Sequence, residues 1–160
     1  MRCPYRRPSI NEWIMCMQTP IIWVHADCLS PRGPAFAANP DAAAIFVFDE
    51  ALLQEYQISS KRLMFMYECL LELPVVIRRG DVAAEVLRFA DQHGADGVVT
   101  TASVAPRFAN IQQQIARTHP VQALPVDPFV EYPGRLDLKR FSRYWSKVEA
   151  YAFGQKPLFD

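Results

Sequence analysis

The 160-residue chain has no surplus of charge, since 17 Lys and Arg stand against 17 Asp and Glu. Sequence-independent attraction to nucleic acid or to an anionic bilayer rests on excess cations, so direct binding to either is not expected. Glycine is scarce, at six residues, and none precedes a lysine. The loop after the first strand-like run, Asp27-Cys28-Leu29-Ser30-Pro31-Arg32-Gly33-Pro34, holds one glycine. A P-loop and a dinucleotide fingerprint are thereby excluded, because both need glycines where the backbone approaches phosphate. Gly94-Ala95-Asp96-Gly97 reads as a helix cap followed by a turn. A Gly-x-Ser-x-Gly elbow is missing, and with it the usual serine-hydrolase signature. The four cysteines, Cys3, Cys16, Cys28 and Cys69, form no Cys-x-x-Cys pair and have no histidine at metal spacing. They predict neither a metal site nor a disulfide framework, and a reducing, cytoplasmic setting suits them. No apolar run reaches the roughly 18–20 residues that cross a bilayer, because Asp27, Asp49 and Glu68 interrupt the candidates.

What the chain does have is a 51% apolar composition arranged in a regular alternation. Residues 1–20, with Arg2, Arg6 and Arg7 among prolines, are expected to be a flexible N-terminal extension, with Met15 or Met17 as an alternative start. From Ile21 onward, short apolar runs alternate with amphipathic stretches, the pattern of βαβ units. Strands are expected at Ile21–Ala26, Ala43–Phe48, Val75–Ile77 with extension toward Arg79, Gly97–Thr101 and Val121–Val126. Ala43–Phe48 is apolar almost throughout, as a strand covered on both faces must be. Helices are expected at Ser60–Leu73, with Leu63, Met66, Tyr67, Leu70 and Leu71 as its apolar stripe, and at Val82–His93, opened by Asp81 and closed by Gly94. Pro106–Thr118 is a third, with Phe108, Ile111 and Ile115 inward. The fold class predicted is therefore α/β: a three-layer α/β/α Rossmann-like sandwich around a five-stranded parallel sheet, spanning residues 21–135. Residues 136–160 form a C-terminal amphipathic helix and tail.

In an open parallel sheet, ligands bind beyond the carboxyl ends of the strands where the strand order reverses. Three strand-end loops are therefore candidates: His25, Asp27 and Cys28; Asp49 and Glu50; and Thr100, Thr101 and Ser103. His25 has the right chemistry to hydrogen-bond a ligand, whereas His93, in a last helical turn, suits the helix dipole. Asp49 and Glu50 are adjacent on a strand and point to opposite faces, which argues against a paired acid and base. No nucleophile, base and orienter assemble, so no catalytic residue is assigned. In the terminal helix, Phe141, Tyr144 and Trp145 alternate with Lys139, Arg140, Arg143 and Lys147. Aromatics at helical spacing read as a packed face with solvated cations rather than as a nucleic-acid stripe.

The ordered set Ile22-Trp23-Val24 with Asp27 and Pro34-Ala35, Phe46-Val47-Phe48-Asp49, Ser60-Lys61-Arg62-Leu63, Arg79-Gly80-Asp81 and Phe141-Ser142-Arg143-Tyr144-Trp145 resembles the N-terminal α/β domain of the DNA photolyase/cryptochrome family. The resemblance runs from about Ile21 to Trp145. It implies an antenna-type or docking module, non-catalytic alone, for a flavin-binding DNA photolyase-like partner. In that family the FAD site lies in a separate helical domain, so no catalytic FAD site is expected here, and repair of DNA by this chain alone is not expected. The implied ligand is an antenna chromophore, a deazaflavin, flavin or folate, in a crevice lined by His25, Asp27, Phe46, Asp49, Thr101 and Ser103. The implied partner is a separately encoded FAD-binding helical protein, docked through Phe141, Tyr144 and Trp145. Two departures stand out: the basic residues usual in the first-strand loop are replaced by His25 and Ala26, and the fourth-strand loop offers Thr101, Ser103, Ala105 and Arg107. Two further readings remain: a Rossmann-like nucleotide-binding regulatory domain, and a purely structural interaction module.

Overall fold

The computed structural model describes residues 17–126, 128 and 130–154; the expected extension therefore lies almost wholly outside the described residues. The chain divides into two compact units, one ending at Val126 and the other beginning at Asp127.

Five parallel strands build the first unit: β1 (Ile21–Val24), β2 (Ala44–Asp49), β3 (Val75–Gly80), β4 (Val98–Thr101) and β5 (Val121–Leu124). Their order across the sheet is β3-β2-β1-β4-β5. The chain steps outward from β1 to β3, then returns past β1 to lay down β4 and β5, so the order reverses beside β1. Between the strands run α1 (Pro34–Ala38), α2 (Glu50–Glu55), α3 (Ser60–Leu71), α4 (Val82–His93) and α5 (Pro106–Ile115). Right-handed crossovers demand that the helices change face where the strand order reverses. They do: Ile21, Trp23, Ile45, Val47 and Val98 pack with α4 and α5 on one face, and Ile22, Val24, Ala44, Phe46 and Val99 pack with α1 and α3 on the other. This is the expected three-layer α/β/α sandwich with an all-parallel five-stranded sheet.

The local chemistry matches the boundaries. Asp81 caps α4, its Oδ1 accepting the Ala84 amide at 2.8 Å, and Gly94 closes it at φ 60°, a conformation that favours glycine. Asp49 caps α2 by accepting the Leu52 amide at 3.1 Å. Two short helices, α1 and α2, are too brief for a 3.6-residue periodicity to register in sequence, and one expectation needs correction. The apolar stripe assigned to α3 is buried at Leu70 but exposed at Tyr67 and Leu71, because the helix meets the sheet through Met66, Leu70 and the residue beyond its end, Leu73.

The second unit contains α6 (Phe141–Ala152). Its aromatics organise among themselves: Phe141 stacks on Trp145 with centroids 5.8 Å apart, and Phe153 meets Trp145 edge-on at 6.1 Å. No described helix is long and apolar enough to cross a membrane.

Candidate functional site

β1 and β2 end side by side, and beyond their carboxyl ends lies a crevice of about 290 Å³. The start of α5 bounds it on the β4 side through Arg107, Phe108 and Ile111; α2, the following turn and the start of α3 bound it on the other through Leu52, Leu53, Ile58, Arg62 and Met66. The strand order reverses between β1 and β4, and the crevice lies beside that point, reached from the β4 side through the helix that follows β4. The size sits at the lower end of the roughly 300–1,000 Å³ typical of small-molecule sites.

Aromatic side chains form much of the wall. Trp23 lies parallel to Phe108, with centroids 5.2 Å apart and planes 10° from coplanar. His25 meets Phe108 edge-on at 5.1 Å, and Phe46 meets Phe48 in the same way at 5.0 Å. Phe46 is also a buried member of the core, so it serves packing and cavity together.

The polar groups hold one another. His25 Nε2 lies 2.7 Å from the Thr101 carbonyl oxygen, while the Asp27 amide donates to Nδ1 at 3.3 Å. A carbonyl only accepts and an amide N–H only donates, so in this geometry Nε2 donates to Thr101 and Nδ1 accepts from Asp27. Ser103 Oγ donates to Asp27 Oδ2 and accepts the Ala105 amide at 3.1 Å. Arg107 donates to Asp49 Oδ2 through Nε at 2.8 Å and through Nη2. Because the other Asp49 oxygen caps α2, this carboxylate clasps the starts of α2 and α5 together across the crevice. Glu50 turns away to bind Arg79 at 2.8 Å. The adjacent acids thus serve separate guanidinium groups.

Of the residues predicted to bind a ligand, His25, Asp27, Phe46 and Asp49 line this crevice, whereas Thr101 and Ser103 stand behind it and fix His25 and Asp27. Trp23, Arg62, Arg107 and Phe108 were not predicted. Trp23 reads in sequence as an interior strand residue, and its partner Phe108 is 85 positions away, so no local spacing announces the pair. Arg107 follows the proline that opens α5, which places it at a loop end, but nothing local joins it to Asp49. Among the described residues no cluster of His, Cys, Asp or Glu has the arrangement to hold a metal ion.

No family model matches the chain, and no curated protein matches it. Among solved structures it is similar to hypothetical protein MJ0577, at 12% identity over 70% of this chain and 99% of that one, with a TM-score of 0.44. These findings overturn the photolyase/cryptochrome resemblance, and nothing in them supports the DNA-repair and blue-light roles it implied. The structure explains why the motifs misled. Ile22-Trp23-Val24 and Phe46-Val47-Phe48 are strand cores, Asp49 and Asp81 are helix caps, and Ser60 opens a helix. Any doubly wound parallel sheet asks for residues of these types in this order.

Proposed function

We propose that the chain is a binding domain for a small planar heterocycle carrying one anionic group, as a mononucleotide does, and that it acts as a sensing or regulatory module rather than as an enzyme. The reading is carried by one observation: an aromatic-walled crevice beyond the carboxyl ends of β1 and β2 has Arg62 in its lining. Among the described residues, no hydrogen bond or ion pair engages the Arg62 guanidinium. Aromatic faces accept a flat ring, and a planar guanidinium takes a carboxylate or phosphate in bidentate fashion. The lack of a glycine-rich phosphate loop speaks against a polyphosphate. A binding role is favoured over catalysis because Asp49, Asp27 and both nitrogens of His25 are engaged in structural contacts, leaving no free base beside a nucleophile. The free thiols of Cys28 and Cys69 suit a reducing cytoplasm.

Isothermal calorimetry with AMP, GMP and adenosine tests this. Saturable binding of a monophosphate is expected, weaker binding of the nucleoside, and a loss of roughly ten- to a hundredfold in Arg62→Ala, as befits one charge-assisted contact worth roughly 1.5–3 kcal/mol. Absence of heat and of any melting shift for these compounds and for flat aromatic carboxylates, up to about 1 mM, would sink the reading.

A further inference from the structure

β1 stops short of its neighbour. Its last residue, Val24, pairs with Phe46, while β2 runs on to Asp49, which is still paired on the other side with Gly80 of β3. In a parallel sheet, alternate residues of a strand turn their backbone N–H and C=O toward the same neighbour. The Ile22 amide donates to the Ala43 carbonyl at 2.8 Å, so residues 43, 45, 47 and 49 address β1. Past Val24 the chain turns away, the Cys28 amide donating to the His25 carbonyl at 3.0 Å. Among the described residues no backbone hydrogen bond from the β1 side reaches the Val47 carbonyl or the Asp49 amide.

Both groups belong to the stretch of strand that the crevice touches. Phe46 and Val47 bury their side chains on opposite faces of the sheet, yet both line the crevice, together with Phe48 and Asp49. A cavity reached by consecutive residues of one strand meets that strand along its edge, where the backbone lies, rather than at either face. A backbone donor and acceptor facing a cavity are completed by what enters it. The pattern to match is the one Ala26 would supply in a longer β1: a donor for Val47 and, beside it, an acceptor for Asp49. Neighbouring side chains are occupied elsewhere, the Asp49 carboxylate by Leu52 and Arg107 and the His25 ring by Thr101 and Asp27.

We propose that this open stretch of β2 reads the edge of the bound ring, with the Val47 carbonyl accepting from an N–H and the Asp49 amide donating to an adjacent ring nitrogen or carbonyl oxygen. The ligand class selected is a heterocycle with a donor beside an acceptor on one edge, such as the 6-amino group and N1 of adenine or the N1–H and O6 of hypoxanthine. The inference rests on the proposed function, which supplies a flat ring and an anion, and it adds which ring is taken.

Backbone groups have no side chain to remove, so the ligand is edited instead. Calorimetry compares AMP and IMP with purine riboside 5′-monophosphate, which keeps N1 but has no donor beside it. The tighter of AMP and IMP is expected to bind at least about tenfold more tightly than this analogue, because the missing donor leaves the Val47 carbonyl unpaired in the crevice. On protein labelled with carbon-13 and nitrogen-15, that ligand is expected to move both the Val47 carbonyl carbon and the Asp49 amide, and the analogue to leave the Val47 carbon in place. Affinities equal within about twofold, or an Asp49 amide unmoved at saturation, overturn this inference while the binding reading stands. Failure of all three compounds to bind up to about 1 mM overturns it too, and the binding reading falls with it only if flat aromatic carboxylates are silent as well.

Discussion

Helices α3 and α4 have twelve residues each and lie on opposite faces of one sheet, yet they are finished differently. Asp81 caps α4 at 2.8 Å, Gly94 ends it, Glu85 stands in its first turn and His93 in its last, and five of its residues are buried. Every choice agrees with every other, which is how a sequence specifies one local structure. For α3 the Ser59 hydroxyl accepts the Arg62 amide at a longer 3.4 Å, one residue is buried, and the end charges oppose the dipole. Its formation depends on the sheet beneath it. The lesson is that an element can be fully formed and still be chemically incomplete within its own chain.

The comparison breaks most sharply at a pair of phenylalanines. Phe89, 1% exposed, anchors α4 in the core, so Phe89→Ala is expected to cost about 3–5 kcal/mol, transfer and cavity together. Phe65→Ala, on the open face of α3, should change stability by no more than about 0.5 kcal/mol. Urea denaturation at submicromolar protein measures both without a contribution from self-association. Similar losses for the two would show that α3 is as deeply integrated as α4.

The caps sharpen the contrast on a smaller scale. Asp81→Ala removes a short, well-directed bond and should cost about 1 kcal/mol, whereas Ser59→Ala should fall at or below the roughly 0.5 kcal/mol lower limit for such caps. A larger loss at Ser59 would mean that α3 relies on its own amino end rather than on its packing.

How much of this was legible beforehand follows from the range of each interaction. The inner strands were readable because a strand covered on both faces must be apolar throughout, as Ala44–Phe48 and Val98-Val99 are; the edge strands β3 and β5, only partly buried, showed through short apolar runs such as Val75-Val76-Ile77. Asp81 and Gly94 were readable because capping is local. The stripe of α3 was misjudged at Tyr67 and Leu71 because periodicity reports that a residue is apolar and not what covers it. At the site, His25, Asp27 and Asp49 announced themselves as polar residues at strand ends. Arg107 and Phe108 did not, since Asp49 with Arg107 and Trp23 with Phe108 are joined only by the fold. The same locality produced the mistaken family resemblance: strand cores and caps repeat wherever this sheet is built.

Helix α6 supplies the intermediate case, and with it the smallest expected effect. Its first turn carries Arg143, a cation at the positive end of the helix as in α3, but here the preceding segment provides an acid: Arg143 Nη1 donates to Asp137 Oδ2 at 3.0 Å. The Lys139 amide, donating to Oδ1 at 3.0 Å, together with that guanidinium and the nearby Lys147, holds the Asp137 carboxyl below its ordinary value of 3.8. A carboxylate depressed by folding contributes stability that is complete above the unfolded value and is lost as the pH falls through the lower folded one. The contribution should thus be unchanged from neutrality to about pH 5 and fade progressively as the pH falls through 3.8 toward the lower folded value. Carbon-13 titration of the Asp137 carboxyl should place its midpoint under 3.8, and Arg143→Ala should raise it only part of the way back, because the Lys139 amide is the larger cause. A wild-type midpoint at 3.8 or higher would mean that Asp137 does not answer the misplaced cation, leaving α6 in the same condition as α3.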